Sequence, residues 1–204
     1  MKERYGFIKE TDARVNFDAI CENIRKEYNI KELHFLKQVH GDNILIDCSG
    51  TGDGIIITKP ATGALIKTAD CFPVVLTDRV KNISGIFHSG WKGTELGISA
   101  KGAEMMREIG CGNIEAVIFP GIEQCCFRIG SELIDRFAKA NIPVIKKTDG
   151  YFADLKSAII SGLKSKGVET IKDMSVCTCC GEGYFSYRKD GTDKRHASFV
   201  ITFS

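Results

Sequence analysis

Residues 64–106 read ALIKTADCFPVVLTDRVKNISGIFHSGWKGTELGISAKGAEMM and show the clearest alternation of strand-like and helix-like patterns in the chain. Three short apolar runs bounded by turn residues are typical of strands, namely Ala64 to Thr68, Val74 to Thr77 and Ile83 to Phe87. From Thr94 to Ile109, apolar residues recur at spacings of three and four, which predicts an amphipathic helix with Thr94 as its N-cap.

The same patterns continue on both sides of this stretch. Further strands are predicted over Ile55 to Thr58, Ile114 to Phe119, Ile171 to Cys177 and Ser198 to Phe203, and further helices over Ser131 to Ala140 and Asp154 to Lys166. Because strands and helices interleave, we expect an α/β or α+β fold in which mixed sheets are flanked by helices. No repeat or linker divides the sequence, so we expect residues 1–204 to form a single domain.

Composition narrows the class of protein. The chain has 204 residues, of which 43% are hydrophobic and 26% charged, and its 28 basic and 26 acidic residues leave a net charge of +2. Both signs are spread along the sequence, which argues against a nucleic-acid partner. The polar N-terminus and the absence of a long apolar run predict a cytoplasmic protein that does not bind membranes. Nine cysteines, an odd number, favour reduced thiols over a disulfide framework.

Three segments carry residues that could support catalysis. They are Gln38-Val39-His40-Gly41, Thr68-Ala69-Asp70-Cys71-Phe72-Pro73 and Phe87-His88-Ser89-Gly90-Trp91-Lys92-Gly93. Each has a structural interpretation when taken alone: a hydrogen-bonded histidine, a buried thiol and a tight turn. Each nevertheless falls at a strand end or turn, where functional sites are commonly built.

Together, these segments supply two imidazoles and one thiol, from His40, His88 and Cys71. This ligand set suits Zn²⁺, and a catalytic zinc keeps three protein ligands with a fourth position open to water or substrate. Such an ion can lower the pKa of its bound water to about 7. The spacing of the three residues permits a zinc site without proving one.

The ordered runs QVHG, DGIIIT, KTADCFPVVLTD, GIFHSGWKGT, FPGIEQCCFRIG, FADL and SYRKDG resemble the bacterial YfiH family, long labelled polyphenol oxidase or laccase domain. The resemblance covers roughly residues 30–204. It implies a mixed α/β fold and a zinc site formed by His40, Cys71 and His88, with copper possible by substitution. It also implies phosphorolysis of adenosine, inosine and methylthioadenosine, together with deamination of adenosine.

The chain departs from the family pattern in three places. The N-terminal region is shorter than the family's R-x-G-G-x-S stretch, so substrate contacts from there are in doubt. Lys67 stands where arginine is frequent, which keeps the charge but loses the planar fork that grips phosphate in two places. The sequence Thr192-Asp193-Lys194-Arg195 replaces the usual T-G-R and leaves the role of Arg195 open.

Other residues are assigned around the predicted metal. Asp70, beside the thiol ligand, is predicted to shuttle a proton or to orient an imidazole. The predicted substrate-binding residues are Gln38, Lys67, Trp91, Cys126 and Arg188, with a purine nucleoside and phosphate as partners.

The remaining cysteines and histidines receive plainer interpretations. Cys125 and Cys126 either line the pocket or are packed thiols. We interpret Cys177, Cys179 and Cys180 as strand-end thiols, because no histidine follows them at zinc-finger spacing. His34 and His196 are interpreted as structural, and we expect a monomer or a small homo-oligomer.

Three other functions remain open. A copper-dependent polyphenol oxidase is disfavoured because blue-copper laccases use many histidines, whereas this chain has 4. A thiol hydrolase would use Cys71 as nucleophile and His40 or His88 as base, and its metal content would distinguish it. A non-catalytic accessory protein would enclose its metal with four ligands.

Overall fold

The structure is a computed structural model that describes residues 4–204, so residues 1–3 of the polar N-terminus lie outside the described residues. The strands are β1 Tyr5–Ile8, β2 Glu32–Lys37, β3 Ile44–Ile46, β4 Gly50–Thr51, β5 Gly54–Ile57, β6 Thr62–Thr68, β7 Phe72–Asp78, β8 Ile83–Ser89, β9 Ile114–Ile118, β10 Arg128–Ile129, β11 Val144–Lys147, β12 Gly150–Ala153, β13 Thr170–Asp173 and β14 His196–Ile201. The α-helices are α1 Phe17–Tyr28, α2 Trp91–Glu95, α3 Ile98–Glu108, α4 Ile134–Lys139, α5 Leu155–Ser165 and α6 Tyr187–Asp190, and a 3₁₀ turn spans Ser131–Leu133.

The strands form two large mixed sheets and one small sheet. The first large sheet has the order β1-β14-β6-β2-β4, and the second has the order β13-β9-β7-β8-β5-β3. The small sheet has the order β10-β12-β11. Both large sheets combine parallel and antiparallel pairs. In the first sheet, for example, β6 pairs parallel with β2 on one side and antiparallel with β14 on the other. The predicted fold of mixed sheets flanked by helices is confirmed.

Strand β7 shows why the two large sheets stack. Its side chains alternate between two faces, as the period of two in any strand requires. Phe72, Val74 and Leu76 point into the core shared with α3 and α5. Val75 points into a second core that contains Ile66 of β6 and so lies between the sheets. Because both faces are apolar, the strand is buried throughout.

Helix α1 completes the layers on the other side. Its buried residues Ile20, Cys21 and Ile24 pack on Leu65 of β6 in a third core. The molecule is therefore layered as helix, sheet, sheet, helix. His88 at the end of β8, and the loops that follow β2 and join β6 to β7, carry the predicted ligands.

The predicted elements differ from the structure in two places that matter here. The helix expected from Thr94 to Ile109 is two helices, because Gly97 adopts a left-handed φ of 73° between α2 and α3. Thr94 lies inside α2, and the N-cap position belongs to Gly90. The strand expected from Ile171 to Cys177 ends at Asp173, where pairing with β9 stops. Across residues 4–204, no helix is both long enough and apolar enough to cross a membrane.

Candidate metal centre and its cavity

The three predicted ligands are brought together by strand pairing. His88 is the penultimate residue of β8, and Cys71 directly precedes β7. The two strands pair antiparallel with Phe72 opposite Ser89, which sets Cys71 beside the end of β8. His40 comes from the loop after β2 and adopts a positive φ of 61°, unusual for a residue with a side chain.

The ligand atoms of His40, Cys71 and His88 all lie within 4.8 Å of one another. The two imidazole rings meet edge to face, with centroids 4.8 Å apart. Two nitrogens and one sulfur at this separation form a donor set that suits zinc or copper. His88 is buried and Cys71 half-buried, whereas His40 is exposed, so one side of the triad remains open.

Asp53 is a part of this site that the sequence interpretation missed. Its carboxylate is fully buried and accepts a hydrogen bond from Nδ1 of His88 at 2.8 Å. It also accepts from the backbone N–H groups of Val39, His40 and Gly41 at 3.2, 2.9 and 2.7 Å. The bond to Nδ1 leaves Nε2 of His88 for a ligand. The one signal in the sequence that could have pointed to Asp53 is its position as the acidic first residue of the run DGIIIT.

The triad is electrostatically coupled. Burial alone would raise the pKa of the Cys71 thiol, but the His88 imidazolium and hydrogen bonds from both histidines outweigh it and lower that pKa to about 6. Burial likewise lowers the pKa of His88, whereas the Cys71 thiolate and the Asp53 hydrogen bond raise it to about 9. The pair therefore favours a thiolate beside an imidazolium, and a metal cation can replace the shared proton.

Gly90 allows the triad to close. A Cβ atom at this position would lie 2.7 Å from Sγ of Cys71 and 3.4 Å from Cδ2 of His40. The backbone of Gly90 is ordinary extended chain, with φ −71°, so the requirement for glycine is purely steric.

The triad forms part of the wall of a cavity of about 700 Å³. Five basic residues and one acidic residue, Asp70, contribute to its lining. Aromatic surface comes from Trp91, Phe127 and Tyr187. The basic residues are Arg14, Lys37, Lys67, Arg188 and Arg195. A cavity with cationic and flat aromatic surfaces can accommodate an anion beside a planar ring.

Four of the five residues predicted to bind substrate line this cavity: Gln38, Lys67, Trp91 and Arg188. The side-chain amide of Gln38 exchanges two hydrogen bonds with the backbone of Lys67, at 2.8 and 2.9 Å. Nη1 of Arg188 donates to the carbonyl oxygens of Cys126 and Arg128 at 3.3 and 2.8 Å. Gln38 thus fixes the strand that carries Lys67, and two carbonyl groups hold the Arg188 guanidinium.

Cys126 is the exception, because its side chain does not belong to the cavity lining. It lies instead in a cluster with Cys125, Cys177 and Cys180. Strand β13 ends at Asp173, so Cys177 and Cys180 lie beyond the end of that strand, and Cys177 forms an isolated β-bridge with Gly121. Cys179 stays outside the cluster and packs on the core.

Asp70 lies in the turn before Cys71 with a positive φ of 86°. One carboxylate oxygen accepts from the Thr178 hydroxyl at 2.7 Å, and the other accepts from the backbone N–H of Arg188 at 2.7 Å. The carboxylate that orients the imidazole is thus Asp53, whereas Asp70 connects the cavity wall to the loop that carries Thr178 and to α6, which carries Arg188.

The other two histidines have separate surroundings. The buried His196 accepts from the backbone N–H of Phe185 at Nε2, and its Nδ1 lies 2.9 Å from the carbonyl oxygen of Lys9. Burial lowers the pKa of His196, which favours the neutral ring. Nε2 of His34 lies 3.6 Å from the Glu32 carboxylate.

Arg195, whose role the sequence left open, lines the cavity. Its Nη1 donates to the carbonyl oxygens of Thr192 and Lys194.

Several known proteins are similar to this chain. A purine nucleoside phosphorylase of Clostridium acetobutylicum is 37% identical over 191 residues, covering 88% of this chain and 80% of the relative. The purine nucleoside phosphorylase YfiH of Escherichia coli is 32% identical over 176 residues, covering 81% of this chain and 72% of the relative. The crystal structure of a hypothetical protein YfiH of Bacillus licheniformis superimposes with a TM-score of 0.79 at 28% identity, covering 92% of this chain and 82% of that one.

A family model described as multi-copper polyphenol oxidoreductase laccase matches residues 8–202, nearly the whole chain. The ordered motifs of the sequence predict the same relationship, and the solved YfiH structure has the same arrangement of sheets and helices. The chain therefore belongs to the YfiH, or laccase-domain, family.

Proposed function

We propose that this chain is a zinc-dependent purine nucleoside phosphorylase. The observation that carries the proposal is the convergence of His40, Cys71 and His88 on one wall of a cationic, partly aromatic cavity. The names of the relatives, purine nucleoside phosphorylase in each case, support the same class of enzyme.

His40, Cys71 and His88 would hold the zinc ion, which when bound would supply a Lewis acid at this wall of the cavity. Two imidazoles and a thiolate provide three ligands, and the exposed side of His40 faces the cavity. Asp53 orients His88 through Nδ1, so that Nε2 is the nitrogen available for the ion.

The basic lining would bind phosphate. Lys67 and Arg188 both line the cavity. The Gln38 side chain holds the backbone of Lys67 in β6, and the Arg188 guanidinium donates to the carbonyl oxygen of Arg128. In phosphorolysis, a phosphate oxygen forms a bond to the anomeric carbon of the ribose while the bond from that carbon to the purine nitrogen breaks. The departing base takes the electron pair and a proton given up by phosphate or water, and we propose that the Asp70 carboxylate in the lining relays that proton.

The aromatic side chains would position the base. Trp91 opens α2 and packs on Phe137, with its ring centroid 5.9 Å from that of Phe137, so its orientation is fixed. A fixed indole offers a flat surface to a purine ring. We propose that adenosine, inosine and methylthioadenosine are all substrates, and that adenosine is also deaminated, with water replacing the amino group and ammonia leaving.

The test is release of free base from each nucleoside, with and without phosphate, by protein of measured metal content. We expect phosphate-dependent formation of the sugar 1-phosphate, and we expect His40→Ala, Cys71→Ala and His88→Ala each to lose both the triad metal and turnover. Release of free base at the same rate with and without phosphate would overturn the assignment of phosphorolysis. Ammonia release from adenosine tests the deaminase activity separately.

One observation favours a second candidate. The lowered pKa of Cys71 beside two histidines is also what a thiol nucleophile needs, so a hydrolase using Cys71 is the alternative. Full activity in metal-free protein, with covalent labelling of Cys71 by substrate, would support the hydrolase. A copper oxidase receives less support, because His34 and His196 lie outside the ligand cluster formed by the described residues.

A further inference from the structure

Four cysteines from two separate loops meet beside the cavity. Cys125 and Cys126 precede β10, whereas Cys177 and Cys180 follow β13. Their sulfur atoms all lie within 4.8 Å of one another. No residue of this cluster belongs to the triad of His40, Cys71 and His88, so the two groups are separate potential sites.

The spacing of the sulfur atoms distinguishes between the possible states of these thiols. Sγ of Cys125 lies 3.8 Å from Sγ of Cys180, which is far beyond the length of about 2.05 Å in a disulfide. Four thiolates bound tetrahedrally to zinc at about 2.3 Å have sulfur atoms about 3.8 Å apart. The Cys125–Cys180 separation thus matches one edge of a tetrahedral thiolate site, and the other sulfur atoms lie within 4.8 Å, close enough to share the same ion.

The local chain geometry supports a ligand at this position. Cys177-Thr178-Cys179-Cys180 has the two-residue spacing between ligands that is common in zinc sites. The segment folds into a tight turn, in which the backbone N–H of Gly181 donates to the carbonyl oxygen of Cys177 at 2.8 Å. A Cβ at Gly181 would lie 2.5 Å from that carbonyl oxygen, so the turn requires glycine.

Backbone hydrogen bonds hold the two cysteine loops side by side. The backbone N–H of Gly121 donates to the carbonyl oxygen of Val176 at 3.3 Å, and the backbone N–H of Thr178 donates to the carbonyl oxygen of Gly121 at 3.0 Å. The cysteines of the two loops are therefore brought together by the backbone. Cys179 lies in the same turn but outside the cluster. The fold therefore brings together particular cysteines of the turn and leaves one out.

We propose that Cys125, Cys126, Cys177 and Cys180 bind one zinc ion in a closed, structural site. The site fixes two loops that shape the cavity. Thr178, between two of the cysteines, donates to Asp70, and the carbonyl oxygen of Cys126 accepts from Arg188. Zinc binding therefore holds the wall that carries Asp70 and Arg188, independently of the reaction that the cavity catalyses.

The first test is zinc stoichiometry in protein purified without chelators, measured by elemental analysis. We expect two zinc ions per chain in the native protein and one in Cys125→Ser and in Cys180→Ser. His88→Ala should also retain one, and His88→Ala combined with Cys180→Ser none. Cys48→Ser is the matched control, because Cys48 is exposed and outside both clusters, and it should keep two. Equal zinc content in native protein and Cys180→Ser would overturn the proposal.

A second measurement uses the unmodified chain and does not depend on how the variants fold. Zinc should protect the four cysteines from alkylation, and stripping the metal should expose them, as mapped by peptide mass spectrometry. Cobalt in place of zinc should give the intense sulfur-to-metal charge-transfer absorption of a tetrathiolate site, and Cys180→Ser should weaken it. A disulfide among the four cysteines in the purified protein, or alkylation unaffected by metal, would contradict the assignment.

Discussion

Nδ1 of His88 lies 2.8 Å from Oδ1 of Asp53, a carboxylate that also accepts the backbone N–H groups of Val39, His40 and Gly41. One buried side chain therefore fixes two of the three candidate ligands, one through its ring and the other through its backbone. This coupling makes Asp53 a positioning residue for the metal centre.

Asp53→Asn should weaken zinc binding at the triad by about 10- to 100-fold, because an amide cannot accept all the hydrogen bonds that the carboxylate accepts. The measurement is competition with a chromophoric chelator, combined with zinc stoichiometry. Asp42→Asn is the control, since Asp42 lies in the same loop as His40 but pairs with Lys101 and not with His88. Unchanged triad affinity in Asp53→Asn would show that the hydrogen bond to His88 is dispensable.

Gly90→Ala should displace Cys71 and reduce zinc binding at the triad, because the added methyl group would lie 2.7 Å from Sγ. The backbone of Gly90 suits alanine, so we expect little change in the fold itself. Gly112→Ala is the matched control, as a Cβ there meets no heavy atom within 4 Å. Elemental analysis and circular dichroism of both variants separate loss of metal from loss of fold.

In metal-stripped protein, Cys71 should become reactive toward iodoacetamide as the pH rises through about 6, where its thiolate forms. His88→Ala should move this midpoint upward, because it removes the imidazolium that stabilises the thiolate. Peptide mass spectrometry at a series of pH values measures the midpoint for Cys71 alone. A midpoint that is the same in both proteins would mean that His88 does not control the thiol.

Lys67→Met should raise the KM for phosphate by roughly 10- to 100-fold, the range expected for losing one hydrogen bond to a charged group. The KM for the nucleoside should change much less if Lys67 contacts only phosphate. Lys164→Met is the control, because Lys164 is exposed on α5 and outside the cavity. Steady-state kinetics with each substrate varied in turn give both values.

The hydrogen bonds of Asp78 make the stability of the fold depend on pH. Its buried carboxylate accepts from the backbone N–H groups of Val80, Lys81, Gly112 and Asn113. Burial alone would raise the pKa of Asp78, but these hydrogen bonds outweigh it and lower the pKa. The stabilisation is therefore present above the unfolded-state pKa of about 3.9 and is lost as the pH falls through the lower folded-state value.

Asp78→Asn should lower the free energy of unfolding at pH 7 by about 3 kcal/mol, because the amide leaves part of this group of donors unpaired. Its stability should also fall less steeply than that of the native chain as the solution is acidified. Urea unfolding across a pH series measures both effects. The exposed Asp149 provides the control, and Asp149→Asn should follow the native curve.

Local patterns in the sequence were enough to predict the central strands. The three segments together with the family resemblance selected His40, Cys71 and His88, whose ligand atoms lie close together in the structure. Strands β5 to β9 are apolar runs between turn residues, and hydrophobic periodicity is a property of neighbouring residues. The helix from Thr94 to Ile109 shows the limit of such patterns. Its apolar spacing continues across Gly97, and only the left-handed backbone of that residue separates α2 from α3.

The sequence by itself determined the alternation of strands and helices, the family, and the two imidazoles and one thiol that can bind a metal. Tertiary structure alone decided that Asp53 holds His88, and that Cys125 and Cys126 meet Cys177 and Cys180 about fifty residues later in the chain. The physical reason is that strand register and loop path set which distant side chains meet. Both depend on the packing of whole sheets and leave no periodic signal in the residues themselves.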